Sequence, residues 1–132
     1  VKIEFKIIEG PLESKPEIVR VEFDPQRLTV ELDASGHSSM ISVVFDYPTG
    51  FRVLDEGDLL EFWDTFSLKD GWLYEIVSGG WLDLESKRSG FMSQHLNGIR
   101  EYLIVGISEC ISVLTTTPPT FFRDSLGDRK DR

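Results

Sequence analysis

Cysteine is almost missing from this chain of 132 residues, with Cys110 the single example. No intramolecular disulfide can form, so a small secreted disulfide scaffold is excluded and a reducing compartment is expected. Histidine is nearly as scarce. His37 and His95 each stand alone in a polar setting, with no Cys or second His at metal-ligand spacing, so neither a zinc site nor any other cofactor is expected. Long apolar runs are absent too: Leu103-Ile104-Val105-Gly106-Ile107 is among the longest, far short of the ~20 residues a membrane-spanning helix needs. Val1-Lys2-Ile3-Glu4 lacks the basic and then apolar pattern of a signal peptide. These absences lead to the expectation of a cytoplasmic protein without membrane contact.

Positive charge is in short supply. Fourteen Lys and Arg face 23 Asp and Glu, and the net charge of −9 would repel a phosphate backbone, so no nucleic-acid partner is expected. The deficit is uneven, with six basic and fourteen acidic residues in the first 66 positions against eight and nine in the rest. A cationic partner would be steered to the first half. What the chain does have is bulk: it is 40% apolar and contains nine Phe, three Trp and three Tyr, enough for one packed core.

Period-two alternation dominates the pattern and predicts strands. Val1, Ile3, Phe5 and Ile7 share one face while Lys2, Glu4 and Lys6 share the other. After Gly10-Pro11, the same alternation recurs in Val19, Val21 and Phe23. The turn Asp24-Pro25-Gln26-Arg27 then leads into Leu28, Val30 and Leu32, predicting a hairpin. Ala34 to Ser39 reads as a loop. Ile41, Val43 and Phe45 form the next strand, and Tyr47-Pro48-Thr49-Gly50 a turn into Phe51 to Leu54.

The period then changes. Leu59, Phe62, Trp63 and Phe66 recur at helical spacing, predicting one amphipathic helix with Asp55 as its cap and Glu56 and Asp58 in its first turn. Beyond Asp70-Gly71, the glycine pair Gly79-Gly80 predicts a hairpin joining strands Trp72 to Ser78 and Trp81 to Ser86. Asn97-Gly98 predicts another, joining Phe91–Leu96 with Ile99–Val105, before a last strand over Cys110–Thr115. The expected architecture is α+β, predominantly antiparallel β: a meander of about nine or ten short strands with one amphipathic helix packed on the sheet. Residues 1–117 form a single β-rich domain in this reading, and the polar segment 118–132 a loose C-terminal tail. One sheet or two is left open.

No catalytic motif emerges. Gly36-His37-Ser38-Ser39-Met40 starts like a nucleophile elbow, but Met40 stands where the second glycine is needed and no helix follows the serine. Cys110 heads an alternating strand, where a free cysteine serves as a small buried hydrophobe. Carboxylates are plentiful, yet glycosidase-type chemistry needs two facing across a cleft, which spacing does not show.

One feature stands out. Asp55, Glu56, Asp58, Glu61, Asp64 and Asp70 crowd into sixteen residues opposed by Lys69 alone. Such a cluster reads either as the solvated face of a surface helix or as an electrostatic platform for a basic protein. The expected partner-binding residues are therefore Glu56, Asp58, Glu61, Asp64 and Asp70, with Trp81, beside a glycine turn, as an exposed aromatic anchor.

Gly80-Trp81 with Glu85 and Arg88, then Arg100-Glu101-Tyr102-Leu103-Ile104-Val105-Gly106 and Cys110-Ile111-Ser112-Val113-Leu114, resemble small bacterial immunity proteins of polymorphic and contact-dependent toxin systems. The likeness spans residues 50 to 117. It implies a cytoplasmic, non-catalytic protein that binds one cognate toxin domain and blocks it. The competing expectations are a small-ligand binder or carboxylate-dependent enzyme using a cavity between sheet and helix, and a self-associating module pairing through strand edges.

Overall fold

The computed structural model describes residues 3–12, 16–34, 39–59, 62, 70–92 and 98–125. Among the described residues nine strands carry the fold: β1 (Glu4–Glu9), β2 (Glu17–Asp24), β3 (Arg27–Asp33), β4 (Ser39–Asp46), β5 (Gly50–Asp55), β6 (Leu73–Ser78), β7 (Arg100–Val105), β8 (Glu109–Thr115) and β9 (Thr120–Ser125). They divide into two sheets, a five-stranded one ordered β1-β6-β7-β8-β5 and a four-stranded one ordered β2-β3-β4-β9. Every pairing is antiparallel. The α+β, mainly antiparallel class read from the sequence is thus what the chain adopts, as two stacked sheets.

The alternating strands place their apolar residues between the sheets. Leu28, Val30, Leu32, Ile41, Val43 and Phe45 meet Trp72, Leu73, Tyr102, Ile104, Ile111 and Val113 in one cluster. Burying a side chain of this size contributes roughly 1.5–3 kcal/mol each. The stacking direction is fixed at both edges. Phe23 of β2 packs on Phe51 of β5 with ring centroids 5.3 Å apart, and Arg123 of β9 pairs with Glu9 of β1.

The five-stranded sheet is also covered on its outer face. There Tyr74, Ile76, Leu103, Val105 and Cys110 pack against Ile3, Leu59 and Phe62. With both faces buried, β7 and β8 carry apolar residues on both sides, which explains the run Leu103–Val105 and the apolar residues that flank Ser112 in Cys110–Leu114. Leu59 and Phe62, the first two residues of the expected apolar stripe, are fully buried. The rest of that helix, including Glu61, Trp63 and Asp64, lies outside the described residues. Asp55 does act as a cap, its Oδ1 accepting the Gly57 amide at 2.9 Å at the head of a 3-10 helix, Glu56–Asp58.

Four expectations need correction. The meander is interrupted, because β1 pairs with β6, β5 with β8 and β9 with β4. The Gly79-Gly80 hairpin does not form: the residues after it make a short helix, α1 (Trp81–Glu85), instead of a strand. Helical contacts hold α1, with Trp81 Nε1 donating to Glu85 Oε2 at 3.1 Å and Ser86 Oγ to the Leu82 carbonyl at 2.8 Å. The hairpin across Asn97-Gly98 is ruled out because β6 and β8 occupy both sides of β7. Residues 93–96 of its expected first strand, and Asn97 of the turn, are outside the described residues. Finally, the segment expected to be a loose tail supplies β9, paired with β4 from Ser39↔Ser125 to Val44↔Thr120. Alternation is hard to see in Thr120-Phe121-Phe122-Arg123 because Phe122 faces outward, 59% exposed, while Phe121 packs on the core.

Candidate functional site

Strand direction gathers a group of carboxylates at one end of the sandwich. Across the five-stranded sheet, β1 ends at Glu9, β6 begins just after Asp70, β8 begins at Glu109 and β5 ends at Asp55. Antiparallel pairing puts all of these ends at the same pole, and Glu56 and Asp58 continue from β5 there. The four-stranded sheet adds to it. The Ile107 amide, in the β7–β8 turn, donates to the Pro16 carbonyl at 2.9 Å, which brings the start of β2 and the end of β3 to the same pole.

Two register pairs there set like charges directly opposite one another: Asp55↔Glu109 between β5 and β8, and Glu17↔Asp33 between β2 and β3. Opposed like charges destabilise a sheet. Among the described residues, Glu17, Asp55, Asp58 and Glu109 make no ion pair. The field of the cluster reaches inward. Burial, reinforced by Glu56, Asp55 and Glu109, pushes the Cys110 thiol up to about 12. Likewise burial, and then Asp70, push the Tyr74 hydroxyl well above its ordinary value; this hydroxyl donates to the Gly71 carbonyl at 2.9 Å.

Of the residues singled out in the sequence, the structure brings Glu56, Asp58 and Asp70 together at this pole, all exposed. Glu61 and Asp64 lie outside the described residues. Glu17, Asp33 and Glu109 belong to the same pole and were missed. Only register reveals them, since each is remote in sequence from the Asp55–Asp70 cluster.

Trp81 is not among them. It follows the far end of β6, a strand length of about 20 Å from Asp70. It is partly buried, with the Arg52 guanidinium over its ring at 4.8 Å from the centroid. Its Nε1 bond to Glu85 joins a bond from Arg88 Nε to Glu85 Oε1 at 2.9 Å, and these two donors, Arg88 first, hold the Glu85 carboxyl below its ordinary value. Arg88 in turn lies over Phe91, 5.9 Å from the ring centroid.

Beneath α1 sits a buried acid that the sequence reading did not single out as a site. Glu101 of β7 is 1% exposed, and its Oε1 accepts the Leu82 amide at 2.8 Å. Among the described residues its Oε2 has no hydrogen-bond partner, and neither has Ser112 Oγ on the neighbouring strand. Burial pushes the Glu101 carboxyl up, against the pull of the α1 amides and Arg52.

No group of three or more His, Cys, Asp or Glu able to hold a metal ion occurs among the described residues, and no described helix is long and apolar enough to cross a membrane. Both histidines, and most of the elbow-like segment around His37, lie outside the described residues. Cys110, 1% exposed among Leu59, Phe62 and Val105, has the environment of a small buried hydrophobe. Comparison with known proteins finds no family model, no curated protein and no solved structure that matches the chain.

Proposed function

We propose that this chain is a non-enzymatic protein-binding module that docks a basic protein through its acidic pole. In the manner of the immunity-type proteins it resembles, it would neutralise a toxin domain by covering a basic surface. The observation that carries this reading is the pair of like-charge registers, Asp55↔Glu109 and Glu17↔Asp33, at the pole that also holds Glu56, Asp58 and Asp70. Carboxylates set opposite one another repel, whereas a cationic partner converts the same field into faster encounter and into pairs across an interface.

The apolar anchor of such an interface would come from this pole and not from Trp81. Ile107, 44% exposed in the β7–β8 turn between the two acidic registers, occupies the right place. The role suits a reducing cytoplasm, where Cys110 stays a thiol.

The test is affinity capture from the source organism's lysate at low and then high salt, with wild-type bait and a Glu56→Lys/Asp58→Lys bait in parallel. The reading expects one basic protein held by the wild type and lost from the variant. A partner held equally by both baits, or no partner, would overturn it.

A further inference from the structure

The opposite pole carries a cleft of different chemistry. About 210 Å³ in volume, it is lined by Arg52, Gly79, Gly80, Trp81, Asp83, Leu84 and Lys87. Its walls are largely carbon: the indole of Trp81, Leu84 at 62% exposure, and a floor of two glycines without side chains. The charged groups of its lining are two cations and one anion, and Glu85 and Glu101 also lie within electrostatic reach of Arg52. The anion is already engaged, because Asp83 Oδ2 accepts the Gly79 amide at 2.7 Å. Lys87 is exposed and makes no ion pair among the described residues. Arg52 is half-buried, with its guanidinium carbon over the Trp81 ring at 4.8 Å from the centroid, so the side chain has less rotamer freedom to lose on binding. Glu101 lies behind Gly80, not in the cleft, and directs Oε1 at the Leu82 amide.

We propose that this cleft binds a small organic anion, a carboxylate carried on an aromatic or apolar body. The carboxylate meets Arg52 and Lys87, and the body lies against Trp81 and Leu84. A planar fork beside an ammonium matches a carboxylate, and apolar walls with a few polar groups are what a ligand site of this kind consists of. The volume is below the ~300–1,000 Å³ typical of sites for larger ligands, so the occupant is fragment-sized. The site is independent of the acidic pole, from which β6 separates it.

Benzoate is the probe, titrated into the full chain and followed by the amide resonances of Gly79, Gly80 and Leu84. Saturable shifts confined to these residues are expected at millimolar benzoate. Benzyl alcohol, which lacks the charge, and acetate, which lacks the ring, should each bind about tenfold more weakly, equivalent to roughly 1.4 kcal/mol. Lys87→Ala, an exposed change that should not disturb folding, is expected to weaken benzoate several-fold, and Arg52→Gln to abolish saturation. Asp58→Lys should leave binding unchanged, which separates this site from the proposed docking surface. Equal affinities for benzoate and benzyl alcohol, or no saturable shift, or undiminished binding by Lys87→Ala, would overturn the proposal.

Discussion

Glu101, on β7, accepts the amide hydrogen of Leu82 at 2.8 Å and so caps, from a neighbouring strand, a helix whose own cap position is Gly80. The two positions depend on each other sterically. A Cβ on Gly80 would lie 2.7 Å from Ile76 Cγ2 and 2.8 Å from Glu101 Oε1, both on buried side chains. Gly80 has φ −105°, which other residues adopt freely, so the requirement is for space and not for backbone freedom. Gly80→Ala is expected to destabilise the fold by about 1–3 kcal/mol, the range for overpacking a close-fitting site. Urea denaturation followed by tryptophan fluorescence measures it, and an unchanged midpoint would refute the coupling.

The same carboxylate makes stability depend on pH. Burial raises the Glu101 carboxyl above the ordinary glutamate value of 4.5, so the folded chain holds this proton more tightly than the unfolded one. Below that ordinary value both states are protonated and the group exacts no penalty. As pH rises through the folded value the native state loses stability that the unfolded state does not. Glu101→Gln keeps an acceptor for Leu82 and removes the titration. The variant should therefore gain on wild type between pH 4.5 and neutrality, measured as the difference in thermal midpoint across that range. A difference independent of pH would contradict the assignment.

Cys110 should be inert while the chain is folded. Its thiol is buried and pushed up to about 12, so thiolate is scarce and the sulfur is out of reach at pH 8. Labelling by a disulfide reagent is expected to track global unfolding as urea is raised, with no fast phase in native buffer. Rapid labelling of the native protein would show that the outer layer at Leu59 and Phe62 opens on its own.

The closing strand is needed for stability. Ending the chain at residue 117 removes β9, uncovers the edge of β4 from Ser39 to Val44, exposes the core that Phe121 covers and breaks Arg123–Glu9. Loss of the Phe121 contact alone should cost about 1.5–3 kcal/mol, and the bared edge should promote association. Thermal melting and light scattering of the shortened chain check this; an unaltered, monodisperse product would mean that β9 is dispensable.

Much of the fold was legible because the physics was local. Val19 to Leu32 has both alternation and turn chemistry, and the hairpin forms in the register that Asp24-Pro25-Gln26-Arg27 implies. The errors arise where distant residues decide. Gly79-Gly80 carries a hairpin signal, but Glu101, some twenty positions on, supplies the acceptor that turns Trp81–Glu85 into a helix. Phe121 and Phe122 read as part of a polar tail until β4 offers them an edge.

The candidate site was half visible for the same reason. Glu56, Asp58 and Asp70 cluster in sequence, whereas Glu17, Asp33 and Glu109 join them only through strand pairing. Trp81 was grouped with the acids because the sequence gives no measure of the β6 strand that separates them.

The most direct test of the acidic pole is the association rate of the captured basic partner, measured by stopped flow across a range of ionic strength. The account predicts that Glu56→Lys/Asp58→Lys slows association at low salt by about tenfold or more and flattens its salt dependence. Glu22→Lys, a charge change toward the other end of β2, should leave the rate near wild type. An acidic-pole variant that associates as fast as wild type at low salt would contradict the account.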